Sequence, residues 1–164
     1  MVKAITSNSK HGGIEPARAD HPPAVQYWDD YYSWLIEQAA HVRAGRWEEL
    51  DVANLAEEIG SLGREQFNKL ESALRIVIMH MLKWDYQPRG RGRSWVLSIK
   101  GQRLELEDVL ADNPGLKPRI PEATERAYRK ARIEAARETG LDENTFPKAC
   151  PYTWDDIVAR KFTP

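Results

Sequence analysis

The sequence contains a single cysteine, Cys150, among its 164 residues. It therefore has no intramolecular disulfide and no cysteine-rich metal site. No apolar run approaches the ~18 residues that a membrane-spanning helix needs, and the N-terminus lacks the apolar stretch of a secretory signal peptide. These absences predict a soluble globular protein of a reducing cytoplasm, with no membrane partner.

A strong net charge and a nucleotide-binding motif are missing as well. The formal net charge is −1, so the chain as a whole does not attract nucleic acid or acidic lipid. The Arg-Gly segment from Arg89 to Arg93 follows no predicted strand and contains no Gly-Lys-Ser, so it is not a phosphate loop. No segment alternates with the period of two that a half-buried strand requires. Any ligand preference must come from a local patch.

Helical periodicity is what the sequence does contain. The length corresponds to one ordinary domain. We expect the proline- and glycine-containing residues 1–26 to form a flexible arm and residues 27–164 to form a single helical domain. The predicted fold class is all-α, a helical bundle of about four main helices followed by a short C-terminal helix.

The first two helices have readable ends. The first spans about Asp30 to Ala44 and is ended by Gly45. We expect its inner face to consist of Tyr31, Trp34, Leu35, Gln38 and Val42. The second starts after Asp51, a good N-cap. We expect a break or kink at Gly60–Gly63, because two apolar seams fail to join there. Its second half carries an apolar seam at alternating steps of three and four residues: Phe67, Leu70, Leu74, Val77, Met81 and Trp84.

The remaining helices carry terminal signals of the same kind. Ser94 is predicted to cap the third helix, and Asn113-Pro114 to end it. Pro121 opens the fourth helix and Gly140 ends it. The fourth helix has a thin apolar face that could form a homodimer, made of Ala123, Ala127, Tyr128, Ala131 and Ala135. The tail is expected to dock through Phe146, Tyr152, Trp154 and Ile157.

Four blocks of this sequence resemble the bacterial family named domain of unknown function 29. They are "LDVANLAEEIGSLGR", "VIMHMLKWDYQP", "RSW" and "CPYTWDDIVARKF", and the resemblance covers about Tyr27 to Phe162. It implies a mainly helical fold and no particular activity. It also marks as part of the family's characteristic block His80, Lys83, Trp84, Pro88, Ser94 and Trp95.

A basic segment is the first candidate site. Between Lys83 and Arg103 there are six cationic residues and one acid, Asp85. Arginine binds phosphate in a fork, and aromatic rings stack on bases, so the segment could bind nucleic acid, another anionic ligand or a protein. The plainer interpretation is a solvated loop paired with nearby acidic helices. The six cations are Lys83, Arg89, Arg91, Arg93, Lys100 and Arg103.

His80 is the second candidate. It lies at the edge of the apolar seam, where burial and nearby positive charge disfavour the imidazolium. A neutral imidazole can act as a base or bind a metal, which suggests a bundle enzyme or metal-binding protein with a site near Glu58 and His80. The alternative is a structural histidine bonded to a carboxylate such as Glu58.

Two weaker candidates complete the set. Glu37 and His41 are four residues apart on one helix, and with Glu58 or His80 they could bind a metal. The Glu-x-x-His spacing of di-iron bundles is absent, however, and no cofactor is predicted. Cys150 lies in a proline-bounded turn without a sign of thiolate activation, so we expect a structural thiol.

The sequence therefore favours a non-enzymatic binding module that presents a basic loop, residues 83–103, to a protein or nucleic-acid partner. A protein partner is favoured slightly, and a homodimer is a further partner class. Whether the chain is an enzyme stays open, since no catalytic motif is readable. The candidate binding residues are His80, Lys83, Arg89, Arg91, Arg93 and Glu58.

Overall fold

A computed structural model describes residues 25–163, so the predicted arm lies almost entirely outside the described residues. Within them the chain forms five α-helices and no strand, which confirms the all-α prediction. None of these helices is long and apolar enough to cross a membrane. The helices are α1 (Tyr31–Ala44), α2 (Val52–Tyr86), α3 (Arg93–Asp112), α4 (Ile120–Thr139) and α5 (Trp154–Ala159).

The chain divides into two compact units, one up to Asn54 and one from Leu55 onward. In the first unit, the Asp30 side chain caps α1, and Gly45 ends the helix in the left-handed conformation at φ +69°. The inner face of α1 is Trp34, Gln38 and His41. The Gln38 side chain accepts a hydrogen bond from the Asp51 N–H at 2.8 Å.

Part of the predicted inner face of α1 is wrong. Tyr31 is 46% exposed and Val42 is 45% exposed, whereas the polar Gln38 and His41 are buried. The buried Trp34 and Gln38 confirm two further residues of the predicted face, whereas His41 was not among its predicted residues.

The helix α2 runs through the predicted break. Its 35 residues from Val52 to Tyr86 form one helix, about 52 Å long at 1.5 Å per residue. Glycine permits a break but does not force one. The Arg64 guanidinium spans this stretch, donating to Ser61 Oγ and Glu57 Oε1 at 2.6 Å each.

The two apolar seams of α2 do not need to share one face of the helix, because the first seam is exposed to solvent. Ile59 is 67% exposed and Leu62 is 61% exposed, so the first seam is not a core seam. Because only the second seam enters the core of this unit, the helix does not have to bend to bring both seams to one side.

The core of the second unit forms around the second seam, whose six predicted residues are all buried. From α3 it receives Ile99, Leu106 and Val109. The predicted apolar face of α4 is also buried, each of its five residues being at most 2% exposed. That face therefore lies inside the chain's own core and is not available to a second copy. The tail closes the core with Phe146 and Ile157.

The helix ends of the second unit follow the sequence signals with one exception. Asn113 and Gly140 end α3 and α4 as predicted. The exception is Ser94, which does not cap α3. The helix begins at Arg93 with Gly92 as its N-cap and without a side-chain hydrogen bond there. Ser94 therefore lies within the first turn.

Replacement of Gly63 by alanine tests the continuity of α2. Open space surrounds a Cβ at this position, and alanine favours a helix interior over glycine by about 0.5–1 kcal/mol. We expect Gly63→Ala to raise the free energy of unfolding by about that amount in urea denaturation. Gly140→Ala is the matched control. It should lower stability by about 1 kcal/mol or more, because Gly140 has φ +72°. A loss of stability in Gly63→Ala would indicate a break.

Candidate functional site

The basic segment divides into cations that the fold uses and cations that it leaves exposed. Lys83 belongs to the first group and is only 6% exposed. Its Nζ lies 2.5 Å from Glu138 Oε2 and 4.6 Å from the centroid of the Trp95 ring. Lys83 thus joins the end of α2 to the start of α3 and the end of α4, and it does not present its charge to a ligand.

Arg103 holds the C-terminal tail. Its guanidinium donates three hydrogen bonds, to the carbonyl oxygens of Asp156 (3.0 Å), Ile157 (2.6 Å) and Arg160 (2.8 Å). These carbonyls lie at the C-terminal end of α5, where a cation is favourable. Arg103 is thus used within the fold and does not present its charge to a ligand.

Arg91 and Gly90 fix the turn between α2 and α3. Arg91 Nε donates to the Trp84 carbonyl at 2.8 Å, and its guanidinium lies 5.4 Å from the Trp84 ring centroid. A Cβ on Gly90 would lie 2.6 Å from the Trp95 ring, so the turn packs directly against that ring. Both tryptophans are engaged within the fold, and neither is a free stacking platform.

The remaining cations of the segment point away from the core. Arg89, Arg93 and Lys100 are exposed, and no carboxylate of the described residues lies within ion-pair distance of them. The expectation that the acidic helices neutralise the loop therefore does not hold for these three. Two leucines share their side of α3, Leu97 at 53% and Leu104 at 63% exposure.

These residues follow one stripe of α3. Leu97, Lys100 and Leu104 are four, seven and eleven positions after Arg93, and such spacings fall on one helix face. We call Arg93, Leu97, Lys100 and Leu104 the α3 outer face. It alternates positive charge with apolar surface, and Arg89 adds a further charge from the preceding turn.

His80 is buried and hydrogen-bonded to its own helix. Its Nδ1 lies 2.9 Å from the Ile76 carbonyl oxygen. Burial, and to a lesser extent the Lys83 charge, lowers the pKa of His80 below its usual 6.5. The neutral ring therefore donates from Nδ1 and leaves Nε2 unprotonated. The hydrogen-bond partner of His80 is this backbone carbonyl and not the Glu58 carboxylate of the structural alternative.

The structure does not bring Glu58 and His80 together. Both lie on the unbroken helix α2, about six turns and ~33 Å apart along its axis. No small ligand contacts two side chains at that separation. The predicted enzyme pocket between them is not formed.

A cluster that the sequence analysis did not single out lies at the end of α2. Arg160 donates to both carboxylate oxygens of Asp85, at 2.9 and 2.6 Å, and the Tyr152 hydroxyl donates to Asp85 Oδ2 at 2.9 Å. Together with Tyr86, Pro151 and Asp156 they line a cleft of about 380 Å³. The sequence did contain one signal for this cluster. Its three residues, Asp85, Tyr152 and Arg160, all lie in two of the sequence blocks that resemble the family.

The electrostatics of this cluster are those of a structural clamp. Burial acts to raise the pKa of Asp85, but the hydrogen bonds and charge of Arg160 and the Tyr152 hydroxyl outweigh it and lower the pKa. Burial and the Asp85 charge raise the pKa of Tyr152. Because the Asp85 carboxylate of α2 accepts hydrogen bonds from Tyr152 and Arg160, the cluster ties the C-terminal tail to α2.

Glu37 and His41 serve the first unit. His41 Nε2 lies 3.9 Å from Glu37 Oε1, and His41 Nδ1 lies 3.1 Å from both Glu49 Oε2 and Arg46 Nε. Glu37 also accepts a hydrogen bond from the Val25 N–H at 3.0 Å. Within residues 25–163, no three histidine, cysteine, aspartate or glutamate side chains are arranged to hold a metal.

Cys150 lies in a cleft of about 490 Å³ between α4 and the tail. Its Sγ is 3.8 Å from the Tyr152 carbonyl oxygen, and burial raises the pKa of the thiol. A raised pKa disfavours the thiolate. The surroundings are those of a structural thiol, in line with the expectation from its turn.

The chain was compared with protein families, curated proteins and solved structures. The family described as Domain of unknown function DUF29 matches residues 26–163, nearly all of the described chain. No curated protein and no solved structure matches it significantly. The family match assigns no activity to any residue, so function has to be argued from the geometry above.

The buried state of His80 has a measurable pH dependence. Its pKa is lower in the folded protein than the ordinary 6.5, so the unfolded chain takes up a proton first as the pH falls through 6.5. Stability should then fall until the pH reaches the folded pKa. Urea denaturation at a series of pH values should show this loss of stability in the wild type and not in His80→Gln. Identical pH profiles would mean that His80 titrates normally when folded.

The role of Arg103 is testable with a substitution that keeps its charge. Lysine cannot reach three separate carbonyls, so we expect Arg103→Lys to lower the free energy of unfolding by about 2–3 kcal/mol. The exposed Arg93→Lys is the control and should change stability by less than about 0.5 kcal/mol. Equal denaturation midpoints for the two variants would contradict the anchoring role.

Proposed function

We propose that this chain, which belongs to the family Domain of unknown function DUF29, is a non-enzymatic binding module that captures a protein partner on the α3 outer face. The observation that carries the proposal is the alternation of unpaired cations with exposed leucines on one side of α3. Such surface is costly to leave in water, and covering it with a complementary partner is favourable.

The chemistry of the α3 outer face favours protein over nucleic acid. A phosphate backbone would use the arginines but would leave Leu97 and Leu104 without an apolar partner. Single-stranded nucleic acid would need aromatic platforms, and the two tryptophans of this region are packed against Lys83, Arg91 and Gly90. The matching partner carries carboxylates interleaved with apolar side chains.

Two observations weigh against a bundle enzyme. Glu58 and His80 lie about six turns apart on α2, and Asp85 is saturated by Arg160 and Tyr152. We propose no cofactor. The setting we propose is the bacterial cytoplasm, supported by the single cysteine and by the sequence blocks shared with a bacterial family.

Removal of the exposed charges should separate binding from folding. The variant Arg89→Ser, Arg93→Ser and Lys100→Ser keeps Arg91, which the fold uses. We expect its unfolding midpoint to stay within the range of surface substitutions, and its capture of protein from a lysate of its own cells to drop at least about tenfold. The measurement is quantitative affinity isolation, with and without nuclease.

The matched control removes three exposed cations from elsewhere in the unit, namely Arg129, Arg137 and Lys148, each replaced by serine. It changes the net charge equally and should capture as much partner as the wild type. Equal losses in both variants would point to a general charge effect. A load that disappears with nuclease would move nucleic acid ahead of protein.

A further inference from the structure

The charged residues at the two ends of α3 have the signs that the dipole of this helix disfavours. Its first turn contains no acidic residue and its last turn contains no basic residue. Instead, Arg93 is its first residue, and Asp108 and Asp112 lie in its last turns. Helices favour the opposite arrangement, which α4 adopts with Glu122 in its first turn and Arg137 in its last. Helix stability therefore does not account for the charges of α3.

An antiparallel copy of α3 does account for them. If two such helices cross face to face at Lys100 and Gly101, Arg93 lies opposite Asp108 of the second copy, and Leu97 lies opposite Leu104 of the second copy. The twofold axis repeats both contacts. Arg93 and Asp108, whose charges the dipole of their own helix disfavours, then each meet an opposite charge.

We infer that the partner of the α3 outer face is a second copy of this chain, bound antiparallel about a twofold axis. The inference rests on the proposed function, because it names the partner of the same surface. A twofold contact must be self-complementary, and α3 meets that requirement in the pairs Arg93–Asp108 and Leu97–Leu104, although not at Lys100, which approaches its own copy near the axis. All of the residues that the contact uses are exposed in the single chain.

The surroundings of the crossing point leave space for the second helix. Nothing lies within 4 Å of a Cβ built on Gly101, so the backbones can approach closely there. Beside Leu104 a groove of about 410 Å³ opens, with Leu110, Trp154 and Val158 in its lining. Leu97 of the second copy would enter this groove, which is apolar enough to receive it.

Charge reversal provides the test. In Arg93→Asp both twofold contacts become acid against acid, and in Asp108→Arg both become base against base. Sedimentation equilibrium of the wild type should show a dimer that dissociates on dilution, and each variant should dimerise at least about tenfold more weakly. An equimolar mixture of the two variants should regain the wild-type affinity to within about threefold, because each contact again joins opposite charges.

Folding is controlled within the same experiment. Both substitutions follow the helix dipole, so neither should lower the unfolding midpoint, and circular dichroism checks this. The double variant Arg93→Asp with Asp108→Arg should dimerise like the wild type. Rescue in the mixture cannot come from a change in folding, because each chain carries its substitution alone.

Two results would overturn the self-association. One is a wild type that stays monomeric up to ~500 µM, where a specific dimer should be populated. The other is equal dimerisation of the wild type and both single variants, which would place the contact elsewhere. If the first result occurred while the triple serine variant still lost its partner, the binding module would stand with a different protein as its partner. If the chain dimerised through α3 while the triple serine variant captured as much other protein as the wild type, the α3 outer face would serve self-association alone and would not be the capture site for a different protein.

Discussion

Burial of the second apolar seam of α2 is the constraint on which the rest of the second unit depends. The seam residues Leu70, Leu74, Val77 and Met81 are fully buried, and each such side chain contributes about 1.5–3 kcal/mol by leaving water. The alanine face of α4 allows close packing in the same core. Once this packing is formed, the polar groups near the end of α2 are carried into partly buried positions, where they need partners.

Those partners explain most of the charge around the end of α2. Lys83 pairs with Glu138, and Asp85 pairs with Arg160 and Tyr152. Arg103 binds the end of α5. An unpaired polar group in such positions would cost free energy, so these interactions hold the helix ends and the tail in place. Three of the six cations of the basic segment, Lys83, Arg91 and Arg103, thus have structural roles. The other three, Arg89, Arg93 and Lys100, are those for which we propose a binding role.

Sequence periodicity predicted the fold well where apolar burial alone decides it. The buried seam of α2, the alanine face of α4 and the helix stops at Gly45 and Gly140 follow directly from spacing and backbone preference. It was wrong at Gly60–Gly63, because a change of seam phase indicates a kink only if both seams are buried. It also missed the burial of His41 on α1, since a polar side chain produces no apolar signal, and it placed the exposed Tyr31 and Val42 on the inner face.

The candidate site shows the same division. The sequence by itself determined which residues are helical, which apolar residues form the core of the second unit, and that cations crowd between Lys83 and Arg103. Only the tertiary structure decided which of those cations are used by the fold, because a hydrogen bond between Arg103 and α5 joins residues more than fifty positions apart. It also exposed the leucines beside Arg93 and Lys100, whereas the distance between Glu58 and His80 follows from the continuity of α2 alone. Local spacing specifies a helix and its faces, whereas the neighbours that each face meets are set by long-range packing.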